Sequence, residues 1–193
     1  MADVTFYFDP ACPWTWRASR WLTLVAEARG LDIDWRPMSL LVVNGGDLPP
    51  QYREPVETSH HLLRLVEKLR QDGRQDDITR LYRAIGELVH DRGTPLDDNV
   101  VVKVLGETGL ADSRDTLDDA SFDAAIEAST GAAVAAAGPG VGSPVLVPAG
   151  AERGFHGPVL GAVPEKAESL TIWDAVEALV PITDFFELKR GRP

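Results

Sequence analysis

Cysteine is almost missing from this chain. Cys12 is the only one among 193 residues, so no disulfide can close within the chain, and a reducing cytoplasm suits it better than a secreted, disulfide-built scaffold. Long apolar runs are missing too. None approaches the roughly 18 residues that suggest a membrane span, and Met1-Ala2-Asp3-Val4 shows neither the basic nor the apolar region of a signal peptide. A cytoplasmic protein is expected. Positive charge is short: 19 Lys and Arg stand against 30 Asp and Glu, for a formal net charge of −11. Nucleic acid and anionic membranes would repel such a chain and are excluded as partners. The four histidines offer little to a metal. His60 and His61 are neighbours on a helical stretch, so their rings point apart, and no metal site is expected. Gly138-x-Gly140-x-Gly142 follows no strand and is no dinucleotide loop, and no P-loop, zinc motif or nucleophile elbow is present.

What is present has a definite order. Residues 3–8 read as a buried strand that stops at Asp9-Pro10. Cys12 follows, and a helix is predicted over 13–29, with Trp14, Trp21, Leu24, Val25 and Ala28 at helical spacing and Gly30 as its stop. Residues 31–38 alternate apolar and polar, which predicts a second strand and completes a β-α-β unit. Residues 44–50 are a Gly/Pro loop. The stretch 53–137 reads as helical throughout, with Leu62, Leu65, Val66 and Leu69 forming one apolar stripe. Ile78, Leu81, Tyr82, Ile85, Leu88 and Val89 form another. Strand character returns at 144–147 and 154–157, and a last helix is predicted over 170–180. With 44% hydrophobic and 25% charged residues the chain can bury one core plus an insertion. The expected architecture is α/β: a discontinuous thioredoxin-like domain of residues 1–52 and 138–193, with an all-helical insertion domain of 53–137.

A cysteine after a strand-to-helix turn sits where thiol chemistry is favoured. Free N–H groups and the positive end of the helix dipole stabilise a thiolate. Pro13 suits the first helical position, because its missing N–H is not needed there. Asp9 acts in the opposite direction as a nearby negative charge. The balance leads us to expect a thiolate-leaning Cys12. Thr15, one turn on, stands where a C-x-x-C motif carries its second cysteine, and its hydroxyl could donate to the sulfur. Trp21 is expected to be buried, and Trp14, beside the thiol, to face substrate. Ser143-Pro144 opens the third strand either as an ordinary trans proline or as a cis bond facing the cysteine. The fold argument supports cis.

Taken together, these residues resemble the DsbA-like thioredoxin-fold proteins, and most closely the actinobacterial mycothiol-dependent nitroreductases. The resemblance rests on Phe8-Asp9-Pro10-x-Cys12-Pro13-Trp14 with Trp16 and Ser19-Arg20-Trp21, and on Met38-Ser39-Leu40 with Asn44. It continues through Leu48-Pro49-x-Gln51-Tyr52-Arg53-Glu54, Leu81-Tyr82-x-Ala84-x-Gly86 with His90, and Gly142-x-Pro144. It ends on Phe155-x-Gly157-Pro158-Val159-Leu160, Trp173-Asp174 and Phe185-Phe186-Glu187-Leu188-Lys189-Arg190. It implies that Cys12, in the Cys12-Pro13-Trp14-Thr15 element, is a nucleophile cycling through a mixed disulfide with mycothiol. It implies further that Pro144 is the cis-proline with Ser143 beside it. Trp14, Asn44, Tyr52 and His90 would line a cleft between the two domains, and the chain would form a homodimer. The cosubstrate would be a small-molecule thiol and the substrate an electrophilic small molecule, with no tightly bound cofactor. Thr15 departs from the dithiol members, so a second mycothiol or a redoxin must resolve the mixed disulfide. The chain is also similar to kappa-class glutathione transferases and 2-hydroxychromene-2-carboxylate isomerases, in which a cofactor thiol does the work. A redox-inactive thiol-binding protein is the third reading.

Overall fold

Strand β1 (Val4–Phe8) is buried on both faces, and the fold is organised around it. In the computed structural model, which describes residues 2–191, β1 is central in a four-stranded sheet of order β2-β1-β3-β4. β2 (Ile33–Pro37) runs parallel to β1 and is joined to it by α1 (Pro13–Arg29). β3 (Val145–Pro148) and β4 (Phe155–His156) add antiparallel on the other side. Because side chains alternate along a strand, Phe6 and Phe8 enter the main core, where their rings meet Trp35 edge-on at 5.3 and 5.8 Å. Tyr7 points the other way and packs with Met38, Ala133 and Val145.

Between β2 and β3 the chain builds helices α2 (Leu40–Val43), α3 (Pro50–Gln71), α4 (Gln75–Gly86), α5 (Asp98–Thr108) and α6 (Asp123–Ala137). A π-helical turn, Glu87–Asp91, extends α4, and α7 (Lys166–Leu179) closes the order. The apolar stripes of α3 and α4 bury Leu62, Leu65, Val66, Ile78, Leu81 and Ile85 in one cluster with Phe6, Phe8 and Trp16. Trp21 is fully buried, and its indole N–H donates to the Ser169 carbonyl of α7 at 3.0 Å.

The predicted elements and the observed ones differ in places. Helix α3 starts at Pro50, inside the predicted loop, because a proline at the first helical position needs no N–H partner. Helix α2 was not predicted; it exists because Ser39 caps it, accepting from the Val42 N–H at 3.4 Å. Helix α7 begins four residues before its predicted start, and the helical middle is interrupted after the π-helical turn and, between α5 and α6, by two 3-10 helices, Ala111–Asp118 and Ala120–Phe122. The Ser143–Pro144 bond is cis, and so is Gly157–Pro158, which the sequence reading did not anticipate.

Packing requires glycine at Gly86, as it does at Gly154, where a Cβ would meet the Leu146 carbonyl oxygen. A Cβ on Gly86 would clash with the ring of Trp16, whereas one on Gly106 in α5 meets open space. We expect Gly86→Ala to destabilise the protein by about 1–3 kcal/mol through overpacking. Gly106→Ala should be neutral or stabilising by up to about 1 kcal/mol through helix propensity. Urea unfolding midpoints of the two variants check this, and equal midpoints would contradict it.

Candidate active site

Asp9 builds the site. It ends β1 with its carboxyl fully buried, and three groups donate to it. The Ala11 N–H (2.8 Å) and the Ser59 hydroxyl (2.5 Å) reach Oδ1, and the Leu40 N–H (2.7 Å) reaches Oδ2. The carboxyl therefore ties the loop that carries Cys12 to the start of α2 and to the middle of α3. Desolvation raises its pKa above the usual carboxylate range, against the lowering effect of these hydrogen bonds. Either charge state can be satisfied here, since a protonated Oδ1 can donate to Ser59 while both N–H groups still find an oxygen.

Cys12 is the N-cap of α1, with its backbone extended and Pro13 at the first helical position. It is 7% exposed. Its thiol donates to the Ser143 carbonyl at 3.4 Å, so the residue before the cis proline meets the sulfur directly. The Ser143 hydroxyl accepts from the Asp9 N–H at 2.9 Å and lies 2.8 Å from Thr15 Oγ1. Thr15 is fully buried. If Ser143 gives its proton to Thr15, the Thr15 proton is free to turn to the sulfur.

The expectation of a thiolate-leaning Cys12 is not met. Burial raises its pKa above the usual thiol range, and the charge of Asp9 raises it further. Hydrogen bonds from the Thr15 side chain, the Thr15 backbone and the Trp14 backbone oppose this without reversing it. The helix terminus is there, as the sequence indicated, but desolvation of the anion outweighs it.

His90 sits in the π-helical turn and reaches the same loop from the opposite side. Its Nε2 lies 2.8 Å from the Pro10 carbonyl. A carbonyl only accepts, so Nε2 carries the proton and Nδ1 the lone pair in the neutral ring. Burial holds the imidazole below its usual pKa, against the hydrogen bond to Pro10 and the charge of Asp91. The ring stacks on Trp16, with centroids 6.4 Å apart. The Trp16 indole N–H donates to Asp91 at 2.7 Å, and the Arg20 guanidinium lies over the indole at 4.4 Å.

A sequence model described as "Rv2466c-like: Mycothiol-dependent nitroreductase Rv2466c" matches residues 11–190. The chain belongs to this Rv2466c-like family. The Mycobacterium tuberculosis (strain ATCC 25618 / H37Rv) protein Rv2286c, described as uncharacterized, is 32% identical over 197 residues, which span all of this chain and 83% of that protein. Among solved structures, Pseudomonas aeruginosa DsbA aligns with a TM-score of 0.55 at 16% identity, over 91% of this chain and 82% of that one. Proteus mirabilis ScsC, in a transitional conformation, aligns with a TM-score of 0.45 at 15% identity, over 92% and 67%. The architecture is a DsbA-type thioredoxin fold, and the family places the chain among thiol-dependent oxidoreductases.

Of the residues singled out from the sequence, Cys12, Pro13, Thr15, Ser143 and Pro144 converge on one point in this Rv2466c-like chain, and His90 holds the same loop. Trp14 is half-buried on the first turn of α1, with the Arg17 guanidinium 5.1 Å from its ring. Asn44 and Tyr52 stand further out. Asn44 is exposed and donates to the Leu40 carbonyl at 2.7 Å, closing α2. Tyr52 is exposed on the first turn of α3. Neither hydrogen-bonds to the cysteine loop. Sequence reasoning passed over Ser59, although a small polar residue three and four positions before the buried Leu62 and Leu63 was a usable signal. It also treated His60 only as a metal candidate. The His60 ring is held by Ser39 (2.9 Å) and Asp123 (3.3 Å). Among the described residues, no group of three His, Cys, Asp or Glu could hold a metal ion, and no helix is long and apolar enough to cross a membrane.

Alkylation of Cys12 checks its titration. Iodoacetamide should label the native protein more slowly at neutral pH than the unfolded chain, with a midpoint above that of an ordinary cysteine. Thr15→Val keeps the shape of the residue and removes its hydroxyl, so it should move the midpoint further up. Native and unfolded protein titrating alike would show that burial does not govern this thiol.

Proposed function

We propose that this protein is a monothiol oxidoreductase that uses Cys12 as nucleophile and mycothiol, or a similar low-molecular-weight thiol, as cosubstrate. The observation that carries this reading is the meeting of Cys12 with the Ser143 carbonyl before cis-Pro144, in a member of a family described as mycothiol-dependent. Deprotonated Cys12 attacks one sulfur of a disulfide, forming a mixed disulfide and releasing a thiolate. Thr15 has no sulfur with which to displace the bound thiol. A second thiol from solution therefore attacks the outer sulfur, regenerates Cys12 and leaves as the other half of a small-molecule disulfide. One thiol is consumed and one is released, so each turn is a thiol-disulfide exchange in which one disulfide is opened and another formed. Nitro reduction, the activity in the family description, has a different balance: taking a nitro group to a nitroso group and water consumes two thiols, which leave as one disulfide. The Ser143 carbonyl holds the resting thiol, the Thr15 hydroxyl supports the thiolate, and His90 fixes the loop between Asp9 and Cys12. Trp14 on α1, Asn44 at the end of α2 and Tyr52 on α3 are the candidate contacts to thiol and substrate in this reading.

A second reading is favoured by one observation. A cysteine so nearly sealed, with its pKa raised, also suits a transferase or isomerase in which the bound thiol supplies the reacting sulfur. Cys12→Ser separates the two. Intact-mass spectrometry after exposure to oxidised mycothiol should show one thiol adduct on the wild type and none on Cys12→Ser, and turnover should be lost in the variant. Full turnover by Cys12→Ser would overturn the nucleophile reading in favour of the second.

The monothiol assignment has its own check. In Thr15→Cys the new sulfur stands one helical turn from Cys12. Oxidation should then remove two hydrogens with no added thiol, and the mixed disulfide should be short-lived. A thiol adduct that persists in Thr15→Cys as long as in the wild type would contradict a resolving role for that position.

A further inference from the structure

We infer that His156 is a positioning residue for Cys12: its ring N–H bridges the two carbonyls that flank Ser143 and so fixes the carbonyl that meets the sulfur. This rests on the reading of Cys12 as the reacting thiol. His156 ends β4, the two-residue edge strand, and pairs with Val145 at the start of β3. Its Nδ1 lies 2.9 Å from the Gly142 carbonyl oxygen and 3.1 Å from that of Pro144. Both oxygens only accept, so Nδ1 carries the proton. An imidazolium carries a proton there as well, and the bridge therefore holds in either charge state. The Pro144 carbonyl also accepts from the Gly157 N–H at 2.9 Å.

The bridge acts on the sulfur through peptide geometry. Each peptide unit is planar, so a carbonyl turns only with its whole plane. His156 holds the planes that carry the Gly142 and Pro144 carbonyls. The plane between them carries the Ser143 carbonyl, which accepts from the Cys12 thiol at 3.4 Å. With its neighbours fixed, that middle plane is kept turned to the sulfur. The rest of the segment offers few other restraints. Pro144 has no N–H to enter a ladder, and β3 starts only at Val145. Gly142 has no side chain to pack, and even a Cβ there would meet only Leu40, at 3.9 Å. The Ser143 hydroxyl, tied to Asp9 and Thr15, anchors the side chain and leaves the carbonyl direction to the backbone. That carbonyl favours the protonated sulfur, because an oxygen lone pair attracts a thiol and repels a thiolate. Freeing it lowers the pKa of Cys12.

Two variants of nearly equal shape test this. His156→Asn puts an amide N–H where Nδ1 stood, and His156→Leu does not. The ring is exposed, so both should keep the melting temperature within about 2 °C of the wild type. Iodoacetamide labelling across pH reads the thiol. In His156→Leu the Cys12 midpoint should fall, with labelling at neutral pH about threefold faster or more, and His156→Asn should label like the wild type. Wild-type rates in folded His156→Leu, or the faster rate in folded His156→Asn, would overturn the proposal. Should His156→Leu unfold, nitrogen-15 NMR of the wild-type ring carries the test. In alkaline buffer the neutral ring should hold its proton on Nδ1; a proton on Nε2 would rule the bridge out. Labelling requires no turnover, so these outcomes stand apart from the activity of Cys12→Ser, which decides the nucleophile reading.

Discussion

The buried carboxyl of Asp9 is the constraint on which the site rests. Removing a carboxyl from water costs several kcal/mol unless hydrogen bonds replace what water supplied. Here an N–H from its own turn, an N–H opening α2 and a hydroxyl from α3 replace it. None of these groups can move far without orphaning it. The segment between β1 and α1 is thereby held to the helices on either side, and Cys12 is presented at one position. The Asp9 backbone N–H adds a fourth tie, to the Ser143 hydroxyl, so the same residue also holds the cis-proline loop against the sulfur.

A second constraint comes from Trp16. Its ring lies against Gly86, its N–H reaches Asp91, and His90 stacks on it. The π-helical turn that follows Gly86 thus has a role: it carries His90 to the Pro10 carbonyl and Asp91 to the indole in one widened turn. Through these contacts the helices between β2 and β3 take part in the site directly. The closely packed aromatic group of Phe8, Trp35, Tyr82 and Trp16 lies at the centre of the same core. Each of these buried rings contributes roughly 1.5–3 kcal/mol, and this keeps the polar contacts around Asp9 out of water.

Much of this was legible in the order of residues. The strand before Asp9-Pro10, the helix from Pro13 and its stop at Gly30 follow from local periodicity, from proline's fixed φ and from glycine's access to the left-handed region, where Gly30 sits at φ 70°. The apolar stripes of α3 and α4 appear where the helical spacing put them. Helix α2 was not legible, because four residues carry no periodicity and its cap, Ser39, is also held by His60 and Thr130 from distant helices. Nor was the role of Ser59, whose partner lies 50 residues away.

The sequence by itself determined that there is one thiol, that it starts a helix, and that Thr15 denies it an internal partner. These are properties of neighbouring residues. Only the tertiary structure decided which groups meet that thiol and which way its proton leans. Ser143 comes from 131 residues away, and His90 reaches Pro10 across 80. The helix terminus favours the anion locally, but the packing that seals Cys12 disfavours it more strongly. Burial is a sum over distant parts of the chain, so no local motif could have revealed its sign.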